Sequence, residues 1–174
     1  AYVSYFQSRL ARHRENLDSA MAWGMEANSR WQECSAREVI QGQVNLGCIR
    51  LQQGRYRMAR RRFEGALAEA EQAHWRHQVC LANVGLLASL AGLDDWGGFD
   101  LTLSTISQMV RGGRFLEWDS AWPIQLAAQL AAEAGEPGRA RQAFEVSLRI
   151  WRFLGHDARA NQVLASMAQL WDEG

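Results

Sequence analysis

The sequence predicts an all-α fold built from a repeating pair of antiparallel helices. Three observations carry that expectation. Ala, Leu, Gln, Glu and Arg are abundant, only two prolines occur, and no window strictly alternates apolar and polar residues, so the pattern is helical rather than stranded. The stretch Asn45–Leu67 joins two helical patterns through a tight Gly54-Arg55-Tyr56 turn, with Ala59, Phe63 and Ala66 down one face. A single hairpin of that size cannot bury its own apolar face, and related copies lie on both sides of it.

Residues 1–30 read as a short helix, Tyr2–Leu10, and a longer one over about 14–28 with Leu17, Ala20 and Met21 as its buried stripe. They form a pair clipped at its start. Ser35-Ala36-Arg37-Glu38 is a capping-box pattern opening the next helix. That helix runs to about Gln53, where Gly54 supplies the left-handed cap that glycine adopts cheaply, and its partner runs from Arg55 to about Gln72.

Gly47, Gly54, Ala59, Phe63 and Ala66 have counterparts 38 residues later at Gly85, Gly92, Gly97, Leu101 and Ser104. A further 43 residues on stand Ala128, Gly135, Ala140, Phe144 and Ser147. The pairs are therefore 35–53 with 55–72, 75–91 with 94–111, and 118–134 with 137–153. In the second, Gly97 and Gly98 predict a frayed first turn, and Asp94-Asp95 is most simply an N-cap. In the third, Gly135-Glu136-Pro137 places Gly just past one helix and Pro in the first turn of the next. The connection 112–119 is the longest, and 156–171 reads as a lone capping helix. The expectation is one array over residues 1–174 with about nine helices.

Composition narrows the function classes. The 174 residues are 48% hydrophobic and 22% charged, ordinary for a soluble domain, and the net charge is zero. A neutral chain offers no global attraction to nucleic acid or an anionic membrane. All 19 basic residues are Arg, which excludes a Schiff-base or P-loop lysine. Cys34, Cys48 and Cys80 form an odd set inside helical patterns, reading as core residues of a reducing, cytoplasmic compartment. No signal peptide or membrane-length apolar run is present, and the chain starts with Ala inside a helical pattern, as expected of a fragment.

Leu46-Gly47, Gly54, Tyr56, Ala59, Phe63 and Ala66 resemble the tetratricopeptide repeat, a helix–turn–helix unit with a Leu-Gly…Tyr…Ala…Phe pattern. The spacings of 38 and 43 exceed the usual 34. They look like the long-repeat variety of kinesin light chains, spindle-orientation adaptors and multidomain bacterial regulators. The aromatic expected early in each first helix is missing at Gln43. The resemblance implies a right-handed superhelical solenoid whose concave wall, lined by the first helix of each pair, binds extended peptides or partner helices.

Asn45 and Asn83 each lie two residues before a glycine, Gly47 and Gly85. In the long-repeat families an asparagine here faces the groove and grips the ligand backbone, as an amide that both donates and accepts can. The alternative is that both bridge adjacent helices or meet only water; Leu126 breaks the pattern in the third pair. By the same phase the wall includes Gln41, Val44, Cys48, Gln52, Val79, Leu86, Trp122, Gln125 and Gln129. It lacks the basic residues of a carboxylate clamp. Trp122 is either an anchor for a partner or a support for the 112–119 connection.

The Arg55–Arg62 run reads as a solvated convex face. His74, His77 and Cys80, spaced by three, drift around a helix and lack a fourth ligand. No catalytic set, metal site or cofactor motif is expected. Function therefore reads as a protein-interaction module binding a peptide or helix, without nucleic-acid or membrane partners. The alternative is a regulatory or sensory region of a larger bacterial signalling protein, a kinase or transcription regulator, acting by intramolecular docking or self-association.

Overall fold

Every regular element among the described residues is an α-helix. The computed structural model describes residues 1–32, 36–111, 113 and 115–172, without the side chains of Trp171 and Asp172. In chain order the helices are α1 (Tyr2–His13), α2 (Leu17–Trp31), α3 (Ala36–Gln52), α4 (Tyr56–Gln72) and α5 (Arg76–Ala91). Then follow α6 (Trp96–Val110), α7 (Trp118–Glu133), α8 (Pro137–Phe153) and α9 (Asp157–Asp172). The Ser35 capping box lies outside the described residues, as do parts of the 112–119 connection.

The turns within pairs share one device. Glu15, Gly54, Asp94 and Gly135 all have left-handed backbone, with φ of 59°, 67°, 56° and 76°. Each stands directly before the N-cap of the next helix: Asn16, Arg55, Asp95 and Glu136. Asn16 and Asp95 accept from the backbone N–H of Ser19 and Gly98, at 3.2 and 3.1 Å, which satisfies one orphan donor at each helix start.

These turns, 39, 40 and 41 residues apart, correct the register expected for the second pair. Its turn residue is Asp94, not Gly92, because aspartate tolerates left-handed backbone better than most side chains. Phe99, Leu103 and Ile106 are therefore the counterparts of Ala59, Phe63 and Ala66, and all are buried. Gly97, Leu101 and Ser104 face solvent instead, Leu101 at 74% exposure. The first turn of α6 is capped helix through Gly97 and Gly98, not frayed. His74 is likewise a left-handed turn residue (φ 56°) ahead of α5, off the helix that carries His77 and Cys80.

The chain divides into two compact units, Ala1–Ala82 and Asn83–Gly174, with the boundary inside α5. In the first, α1 packs on α2, α2 on α3 and α3 on α4. Close approach depends on Gly47, where a Cβ would lie 2.7 Å from Cζ of Phe63. Tyr5, Ala27 and Trp31 form one buried cluster, and Ala20, Leu46 and Ile49 another. In the second unit, α7 packs on α8 and α8 on α9. Leu90 at the end of α5 reaches Gly98 on α6, within 3.1 Å of where a Cβ would stand.

Candidate functional site

The eleven residues expected on the wall all fall on α3, α5 and α7. Among the described residues, polar contacts join α1 to α3 at successive turns. Tyr2 Oη donates to Glu38 Oε1 at 2.7 Å, Gln41 Nε2 to Tyr5 Oη at 2.9 Å, and Asn45 Nδ2 to Ser8 Oγ at 2.8 Å. Steps of three or four residues keep the participants on one face of each helix, which is why the contacts line up as a ladder. Ser8 Oγ in turn donates to the carbonyl of Ala20 at 2.6 Å, so Asn45, Ser8 and Ala20 chain three helices together. Donation to the Glu38 carboxylate holds the Tyr2 phenol above its ordinary pKa, with desolvation and the carboxylate's charge adding to the effect.

Asn45 is buried; one N–H of its amide donates to Ser8 inside the fold, and its Oδ1 has no hydrogen-bond partner among the described residues. Its amide lies against α2, with Nδ2 3.5 Å from where a Gly24 Cβ would stand. The contact with Ser8 is a bridge of the kind the alternative describes, while Oδ1 is an acceptor left without a partner. Asn83 is also buried, but the turn register aligns Gly85, not Asn83, with Asn45. The two asparagines are therefore not successive rungs of one ladder.

Val44, Cys48 and Gln125 are buried as well. Gln125 Oε1 accepts from Trp151 Nε1 at 2.9 Å, another polar stitch between a first and a second helix. Gln41, Gln52, Val79, Leu86, Trp122 and Gln129 remain half-buried. Five of the eleven expected wall residues are thus buried and six are partly open to solvent. On α4, Arg60 pairs with Glu64 at 2.7 Å and Arg62 donates to Gln43 at 2.6 Å, so part of the arginine run is engaged at the surface.

The feature that sequence reasoning missed is the outer face of α1. Val3, Phe6 and Leu10 are 71%, 61% and 50% exposed, and Tyr2 extends the same patch. Meanwhile α1 buries Ser4, Ser8 and Arg12. The helix thus turns Val3, Phe6 and Leu10 to solvent while Tyr5 is its large ring in the core, beside Ser4, Ser8 and Arg12. In the turn register Val3, Phe6 and Leu10 correspond to Gly42, Asn45 and Ile49 of α3, all buried. The spacing i, i+3, i+7 was visible in the sequence, but spacing alone does not tell which side of a helix the core takes.

A concavity lies between α6 and α8. It encloses about 650 Å3 and includes Asp100, Ser107, Arg111, Arg139 and Arg149. Arg139 meets both oxygens of Asp100 at 2.9 and 2.8 Å and Glu136 at 2.6 Å. Its guanidinium stands 5.7 Å from the centre of the Trp96 ring. These hydrogen bonds raise the Arg139 pKa well above the usual arginine value, fixing its charge.

No group of His, Cys, Asp and Glu suited to a metal occurs among the described residues, and none of the helices they form is long and apolar enough to cross a membrane. Compared with protein-family models and with curated proteins, the chain has no match in either.

Proposed function

We propose that this chain is a helical protein-interaction module that works by stacking its first helix pair against the helices of a partner surface. The exposed apolar stripe of α1 carries this reading. Exposed apolar residues gathered on one helix face are costly to leave in water and mark interaction sites, and Val3, Phe6 and Leu10 share such a face. Burying three such side chains stabilises a contact by about 1.5–3 kcal/mol each before the costs of association. The corresponding positions of α3 are covered by packed helices, which supports a helical occupant for the face of α1.

This favours the regulatory reading, docking within a larger assembly or self-association, over capture of an extended peptide on the first-helix wall. The tetratricopeptide resemblance agrees with either use. A photo-crosslinking residue at Phe6, with a second at solvent-facing Met58 as control, tests the proposal. Adducts to a partner or a second copy are expected from position 6 and not from 58. Phe6→Ser/Leu10→Ser should abolish them while the circular dichroism spectrum stays helical. Equal adducts from both positions, or adducts that survive the double substitution, would overturn it.

A further inference from the structure

The groove between α6 and α8 supports an inference independent of α1. Its volume of about 650 Å3 lies within the range of ligand-binding clefts. The carboxylates along it are already engaged. Asp100 and Glu136 accept from Arg139, and Glu145 accepts from Arg141 at 3.1 Å. Arg111, just past the end of α6, and Arg149, on α8, line the same groove, each further along the chain than Asp100 and Arg139 respectively. Among the described residues neither pairs with a carboxylate. The end at Asp100 and Glu136 sets two carboxylates on the single guanidinium of Arg139 and so stays net negative, whereas the end at Arg111 and Arg149 is cationic.

We propose that the α6/α8 groove binds an acidic peptide segment, with its carboxylates at Arg111 and Arg149 and its backbone along Ser104, Ser107, Gln108 and Gln142. A guanidinium pairs a carboxylate through two parallel hydrogen bonds, which makes arginine the suited cation. Hydroxyls and primary amides both donate and accept, as a peptide unit requires. From Ser104 to Arg111 is seven residues, about 10 Å along the helix direction, a span that about three extended residues fill. The chain has no net charge, so the attraction is local to the two arginines and not a property of the whole surface.

The test uses the full chain and fluorescence anisotropy with labelled hexaglutamate, and hexaglutamine as the neutral control. Hexaglutamate is expected to bind saturably and hexaglutamine not to bind. Arg111→Ala and Arg149→Ala should each weaken binding about tenfold, the loss of one charge-assisted pair. Ser107→Trp, which fills the groove without changing charge, should weaken it too. Arg57→Ala/Arg61→Ala, which removes exposed charge from α4, should leave it unchanged. Both groove arginines are exposed, so their truncation leaves the helices intact by circular dichroism. Three outcomes sink the assignment: hexaglutamate fails to saturate, the α4 variant costs as much as the groove variants, or Ser107→Trp has no effect. Inorganic phosphate that displaces the peptide at equal concentration would also overturn it, by reducing the groove to a simple anion site.

Discussion

Gly47 and Phe63 show how tightly single residues are matched here. A methyl at position 47 would lie 2.7–2.8 Å from the nearest carbons of the Phe63 ring, and overpacking of that kind costs about 1–3 kcal/mol. Ala in a helix recovers about 1 kcal/mol over Gly. Gly47→Ala should therefore destabilise the protein by about 1 kcal/mol in urea unfolding, the net of those two effects. The second pair solves the same contact differently, with Leu87 and Leu103 at the corresponding sites. Phe63→Leu should then make Gly47→Ala neutral or stabilising, and equal costs in both backgrounds would refute a direct clash. Tyr2 offers a pH-dependent test. Its pKa is raised above 10.0 mainly by the hydrogen bond to Glu38. Its contribution to stability is therefore full below about pH 10, the unfolded value, and is lost as pH rises through the folded value. Ultraviolet titration should show a late phenolate that moves back toward pH 10 in Glu38→Gln.

At the scale of elements, most of the fold was legible and one face was not. Helix existence followed from composition and from apolar residues recurring at three and four positions, signals that survive without any knowledge of partners. The second pair slipped by two residues because Gly92 and Gly97 resemble a turn and a small packing residue. The chain in fact turns at Asp94, whose left-handed backbone no glycine marks. That slip made Leu101 look buried and Asn83 look like a repeat of Asn45. The partner of Asn45 is Ser8, 37 residues away, and no local spacing reveals it. The face of α1 was hidden for a different reason, since a stripe at i, i+3, i+7 is the usual signature of a core. If it is an interface, Phe6→Ser/Leu10→Ser should change thermal stability by little, because half or more of each side chain already faces water. Loss of several degrees in melting temperature would mean that the stripe is packed within the monomer.

For the whole molecule, zero net charge on 19 basic and 19 acidic residues makes salt a means of separating the two surfaces. Raising ionic strength from about 0.1 to 1 M shortens the screening length from about 10 to about 3 Å. A neutral chain gains or loses little long-range attraction by this, so any response reports local groups. Peptide binding at Arg111 and Arg149 depends on two exposed charges and should weaken by at least about tenfold across that range. Contacts made by Val3, Phe6 and Leu10 depend on removing apolar surface from water and should hold or strengthen, more so with sulfate than with chloride. Crosslinking at Phe6 and hexaglutamate anisotropy, measured in the same salt series, should therefore diverge. Parallel weakening of both would tie α1 to electrostatic association and remove the ground for assigning it an apolar partner.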